Sequence, residues 1–354
     1  RVCQSVDVRM GGVDLPVQPP LEPMLAKAQA TVPADEGVWS YEPKWDGFRA
    51  LVFRDGDDVV LLSRSGKDLG RYFPEVIDAV RDELAPRCVL DGEIVVPREI
   101  AGRTRLDWES LSQRIHPAES RISMLAEQTP AHFIGFDALA VGDDSLLRAP
   151  FRDRREALRE SVAEKQWCHV TRTTEDAELA TRWLAEFEGA GLDGVIAKRL
   201  DGAYLPGKRE MVKIKHHRDA DCVAIGYRVH KSGEGVGSIL LGLYRDDGEL
   251  QMVGGAASFT AKARVALLAD LEPLRIGDDM RDGEPSRWNS AADKRWIPVR
   301  PERVCEVAYD QMEGLRFRHA VKFLRWRPDR DPSSCTFDQL DVPLNYDLYD
   351  VLEK

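Results

Sequence analysis

After Asp221 the chain changes texture, and that break narrows the folds open to it more than any other feature. Val223 to Val229, Ser238 to Tyr244, Glu249 to Val253, Trp296 to Val299 and Val304 to Tyr309 read as short strands between Gly-rich or acidic turns. One helical stretch, Ala261 to Leu271, interrupts them. Several short strands and a single helix in about 110 residues fit a small barrel of the OB type. Before the break the pattern is mixed. Trp39 to Leu62 reads as strands, with a turn at Arg54-Asp55-Gly56-Asp57. Cys88-Val89-Leu90 and Ile94-Val95-Val96 read as strands flanking Asp91-Gly92-Glu93, and His132 to Leu139 as a buried strand. Val195 to Ala197 and Met211 to Lys215 are shorter strands. Phe73 to Leu84, Trp108 to Ile115, Arg152 to Val162 and Glu175 to Glu188 carry helical spacing. The class is therefore α+β, with a boundary near 217–222. This divides the chain into an extension over 1–19, a first domain over 20–219, and a barrel with a C-terminal tail over 220–354. The first fourteen residues show little periodicity, and Met10 before Gly11-Gly12 is a candidate natural start.

A length of 354 residues suits two domains at roughly 150 residues each. No run of about 18 apolar residues exists, so no membrane span is expected. Arg1 to Val17 lacks an apolar stretch of signal length, which makes a cytoplasmic protein the expectation. The cysteines at 3, 88, 168, 222, 305 and 335 form no C-x-x-C pair, so reduced thiols are expected rather than a cysteine zinc site. A net charge of −11 argues against nucleic acid as a partner until its distribution is considered. Nine basic residues face four acidic ones between Lys198 and Lys231, and six face Asp329 alone between Arg316 and Arg330.

The residues with the most chemistry are Glu42-Pro43-Lys44-Trp45-Asp46-Gly47-Phe48-Arg49. A lysine amine, with an ordinary pKa of about 10.4, becomes nucleophilic when burial and nearby cations push that value down. Gly47 allows close backbone approach to a ligand, and Asp46 is placed to orient or deprotonate the amine. By itself the pattern reads equally well as a strand-end lysine in a turn. Lys213 and Lys215 alternate with Ile214, which points both amines to one face of a strand and leaves Val212 and Ile214 for the core.

The companions of K-x-D-G decide between these readings. In order, Ser63-Arg64-Ser65-Gly66, Leu90-Asp91-Gly92-Glu93, Phe133-Ile134-Gly135-Phe136-Asp137, Gly191-Leu192-Asp193-Gly194-Val195-Ile196-Ala197-Lys198, Lys213-Ile214-Lys215 and Arg325-Trp326-Arg327-Pro328-Asp329-Arg330 resemble the motif set of the covalent nucleotidyltransferases. The resemblance runs from Leu25 to about Asp331 and is nearest to the bacterial stand-alone ATP-dependent DNA ligases called ligase C. It implies a nucleotidyltransferase (adenylation) domain of antiparallel sheets with flanking helices, followed by an OB-fold barrel. It also implies AMP carried on Lys44, with Asp46, Lys213 and Lys215 sharing in the chemistry. Glu42, Arg49, Arg64, Glu93, Phe136 and Lys198 would bind the nucleotide, with Glu93 on the ribose and Phe136 stacked on the base. Arg325 and Arg327 would orient pyrophosphate once the barrel swings over the ATP site. Asp193 stands where the family usually has glutamate, and with Glu93 it is the expected holder of Mg²⁺ or Mn²⁺. His216 and His217 are expected to face DNA or serve a hinge.

The short segment before Lys44 and the missing four-cysteine module favour ATP over NAD⁺. The resemblance implies nicked duplex DNA as substrate, a role in DNA repair and recombination, and partners such as a polymerase or end-binding factors, with the chain itself a monomer. DNA would be gripped through phosphates, weakly at high salt. An mRNA capping guanylyltransferase, an RNA ligase and an inactive nick-binding scaffold are the rival readings.

Overall fold

The computed structural model describes residues 12–100, 102–115, 118–215, 218–277, 279–282, 295–340 and 346–352. The expectations for Met10, His216 and His217 concern residues outside these. Contacts divide the chain into two units, 1–215 together with 343–354, and 216–342.

The first unit is built on two sheets. One has the order Cys168–Val170, His132–Val141, Arg87–Val95, Phe48–Asp55, Asp58–Ser63, with the short Asp144–Ser145 strand beside His132–Val141. Ala50, Leu51, Val52 and Phe53 are all fully buried, so both faces of this sheet are covered. Alternation then sorts them. Ala50 and Val52 join Val76, Ala79 and Val80 of the Pro74–Glu83 helix in one core, while Leu51 and Phe53 pack with Leu62, Val89, Tyr204 and Met211 in another. The second sheet has the order Leu25–Gln29, Arg209–Ile214, Val195–Arg199, Trp39–Pro43. A third core joins the sheets, setting Val95, Ile134 and Phe136 against Tyr41, Val195, Ala197, Val212 and Ile214.

Three segments depart from expectation. Asp91-Gly92-Glu93 does not separate two strands; it lies inside one strand, Arg87–Val95. The register against His132–Val141 shifts between Asp91 and Gly92, where a side chain on Gly92 would strike the Phe133 ring. The N-terminal extension is part of the first unit's core, because Val13, Leu15 and Val17 alternate into it and are all buried. The C-terminal tail likewise returns to the first unit. Leu348 and Val351 of the Leu348–Leu352 helix are buried beside Trp183 and Phe187, and Asp347 Oδ2 accepts the Thr104 N–H at 2.8 Å.

The second unit has the sheet order Leu250–Ala257, Val236–Tyr244, Arg218–Val229, Val304–Tyr309, Lys322–Trp326, with Ile297–Pro298 beside Arg218–Val229. Its edges meet. Ala256 bridges Val321, and the Val321 N–H donates to Gly255 O at 3.0 Å, curling the sheet into a barrel. Leu267 and Leu271 of the Ala261–Leu271 helix pack against its core, and Thr260 caps that helix through the Ala263 N–H at 3.3 Å.

Candidate active site

Strand register creates the site. Trp39–Pro43 runs antiparallel to Val195–Arg199 with Pro43 opposite Val195, so the next residue, Lys44, meets Gly194 and Asp193. The Lys44 N–H donates to Gly194 O at 2.8 Å, and the Asp193 N–H donates to Lys44 O at 3.3 Å. Gly194 has φ +148°, and a side chain there would strike the Ile214 carbonyl, so the turn accepts glycine alone. This places Lys44 Nζ 2.5 Å from Asp193 Oδ1, while Lys215 Nζ lies 3.0 Å from Asp193 Oδ2. The Arg209–Ile214 strand brings Lys213 to the same wall. Burial, and then the Lys44 and Lys215 ammoniums, hold Lys213 below the usual lysine range.

These amines border a cavity of about 1030 Å³ whose wall includes Arg49, Glu93 and Phe136, with the exposed Arg64 on the turn beyond Asp58–Ser63. The Gly47 N–H donates to Glu93 Oε1 at 3.1 Å, and a side chain on Gly47 would run into the Ile94 carbonyl. Burial pushes the Glu93 carboxyl up to about 7, although Lys44, Arg49 and the Gly47 N–H all pull it down. Arg49 stands opposite Glu93 in register but bonds instead to Asp91, with Nε 2.9 Å from Oδ1 and Nη2 2.5 Å from Oδ2. Burial alone would lower the Arg49 pKa; Asp91 holds it above the ordinary value.

The far wall is apolar and tightly tied. Phe136 is 8% exposed, and Lys198 lies behind it with Nζ 2.7 Å from Phe136 O, 2.9 Å from Glu42 Oε1 and 4.8 Å from the Phe136 ring centre. Glu42 Oε2, buried, has no hydrogen-bond partner among the described residues. Burial raises the Glu42 pKa and Lys198 offsets part of the rise.

Two lysine ammoniums on one carboxylate, a third lysine on the same wall, and an aromatic wall with an unanswered acceptor suit a purine nucleoside triphosphate. Comparison with known proteins agrees. Residues 23–215 match the model of the ATP dependent DNA ligase domain, and residues 232–330 match that of the ATP dependent DNA ligase C terminal region. The chain belongs to the ATP-dependent DNA ligases. It is 82% identical to DNA ligase C1 of Mycolicibacterium smegmatis, over 97% of this chain and 100% of that protein. It is 52% identical to DNA ligase C of Mycobacterium tuberculosis, over 96% and 99% of the two. A solved Lig E DNA ligase shares the fold at a TM-score of 0.54 and 17% identity, covering 86% of this chain and 99% of that one.

Within this ligase, Glu42, Lys44, Arg49, Arg64, Glu93, Phe136, Lys213 and Lys215 border one cavity. Two other expected residues stand differently. Lys198 is 2% exposed and supports the wall from behind, and Asp46, half-buried, does not border the cavity. The carboxylate on the Lys44 amine is Asp193. Arg325 and Arg327 belong to the other unit, where Arg325 Nε is 2.5 Å from Glu306 Oε2 and Arg327 binds Asp329 and Asp221. Tyr204 went unnoticed in the sequence and Arg209 was counted only within the basic run, since neither lies in a motif and the Tyr204 loop has no periodicity. Among the described residues, no three His, Cys, Asp or Glu side chains gather as metal ligands, and no helix is long and apolar enough to cross a membrane.

Proposed function

We propose that this ligase seals nicks in duplex DNA with ATP through AMP bound covalently to Lys44. The observation that carries the reading is the Lys44 amine on the cavity wall, 2.5 Å from Asp193, with Lys215 on the same carboxylate. Asp193 takes the ammonium proton, and the freed amine attacks the α-phosphorus of ATP and expels pyrophosphate. Lys213 and Lys215 stabilise the charge that grows on the α-phosphate. The AMP then moves to the 5′-phosphate of a nick, and the adjacent 3′-hydroxyl displaces it to close the strand.

Adenine selection follows from the orphan on the base wall. Glu42 Oε2 is a buried acceptor, and the exocyclic amine of adenine supplies the missing donor, whereas guanine would turn a carbonyl toward it. Phe136 stacks on the base and Glu93 accepts from a ribose hydroxyl.

The donor set also fits a divalent cation. Glu93 is a cavity-wall carboxylate and Asp193 is held against the wall lysines Lys44 and Lys215, and Mg²⁺ or Mn²⁺ takes one or two such groups and fills its remaining sites with phosphate oxygens and water. That ion would neutralise phosphate charge. Repair of DNA, with a polymerase or end-binding factor delivering the break, is the proposed setting. The test is sealing of a nicked duplex with ATP or GTP by the wild type. Sealing with ATP alone supports the reading, and sealing or labelling with GTP overturns it.

A further inference from the structure

Tyr204 is 1% exposed and lies in the loop between the Val195–Arg199 and Arg209–Ile214 strands, outside every motif. Its hydroxyl donates to Asp91 Oδ2 at 2.7 Å and accepts the Met24 N–H at 2.9 Å. Asp91 is fully buried, and its oxygens are filled by this hydroxyl and by the two bonds from Arg49. A buried carboxylate keeps its charge only while such partners hold it.

The alternative open to Arg49 lies in the sheet. Arg49 is the direct cross-strand partner of Glu93. Asp91 and Glu93 are two residues apart on one strand and so share a face. Opposite charges directly across a sheet pair readily. A guanidinium lying straight across would occupy the carboxylate that has to receive the ribose. Instead it is drawn diagonally to Asp91, its Cζ 5.2 Å from the centre of the Phe136 ring, and among the described residues Glu93 accepts from the Gly47 N–H. We infer that Tyr204 is a positioning residue for nucleotide recognition: by anchoring Asp91 it keeps Arg49 off Glu93 and leaves that carboxylate open to the ribose of ATP. The inference rests on the proposed role of Glu93.

The experiment measures lysyl-adenylate formation by wild type, Y204F, D91N and E93Q, with ATP and with 2′-deoxyATP and 3′-deoxyATP. A ribose bond to a charged group makes the wild type prefer ATP over one deoxy analogue by about 10–100-fold. Y204F keeps the ring and its packing but removes one of the two bonds that hold Asp91 Oδ2, so the preference should fall to within about threefold, mainly through a raised KM for ATP. D91N, which breaks the Arg49 pair directly, should do the same. A purely structural role for Tyr204 would slow ATP and its analogues together and leave the ratio intact, and that result in Y204F or D91N overturns the inference. E93Q separates the two levels. If E93Q retains the wild-type preference, Glu93 does not read the ribose and the underlying reading fails. If E93Q loses it while Y204F keeps it, the positioning role alone is wrong.

Discussion

Burying the Glu93 carboxyl costs the fold stability, and the cost has a definite pH signature. Burial moves this carboxyl from an ordinary 4.5 to about 7. Between those values the folded state binds more protons than the unfolded state, so stability falls as pH rises through the window. At pH 8, where the group is ionised in both states, the penalty is about 3 kcal/mol; at pH 5 it is under about 1 kcal/mol. Glutamine cannot ionise and still offers an oxygen to the Gly47 N–H. E93Q should therefore unfold at higher urea than wild type, with an advantage that grows from pH 5 to pH 8, while its lysyl-adenylate formation drops. Urea unfolding without metal or nucleotide, followed by hydrogen exchange in peptides covering Phe48–Asp55 and Arg87–Val95, isolates the first unit. Parallel pH curves for the two proteins, or a less stable E93Q at pH 8, would refute the argument.

A second pH effect runs the opposite way. His132 and His169 are stacked with Nδ1 and Nε2 3.0 Å apart, and burial, followed by the His169 charge, lowers His132 from 6.5 to about 4. The unfolded state binds more protons in that window, so this contribution is complete above about pH 6.5 and about 2 kcal/mol is lost by pH 5. H132Q should flatten that decline in urea midpoints between pH 7 and pH 5, and an unchanged slope would exclude the pair as its source. Leu348→Ala should cost the first unit about 2 kcal/mol and leave the barrel's unfolding unchanged, because Leu348 is 1% exposed in the first unit's core. Loss of barrel protection instead would contradict that assignment.

Part of this site was legible because the alternation of side chains along a strand is local. The Ala50-Leu51-Val52-Phe53 run, the turn after it and the alternation of Lys213, Ile214 and Lys215 fix strands and faces within a few residues. The helix over Ala261–Leu271 was equally plain. What escaped detection depends on distant parts of the chain. The Asp193 contact with Lys44 spans 149 positions and arises from pairing of two strands. Tyr204 reaches Asp91 across 113 positions from an aperiodic loop. The Lys322–Trp326 strand was hidden by its charge, since only Phe323 and Trp326 turn partly inward while lysine and arginine point out. Val13, Leu15 and Val17 did alternate, but three residues are too few to distinguish from an unstructured tail.

The most direct test of the central claim is a single-turnover chase. Wild type and Lys44→Ala are stripped of bound nucleotide, given α-labelled ATP, freed of excess label and mixed with nicked duplex. The account predicts label on the Lys44 peptide of the wild type alone, leaving the protein as the nick closes. Label on the Lys44→Ala protein, or a nick that closes while the label stays on the enzyme, would contradict it.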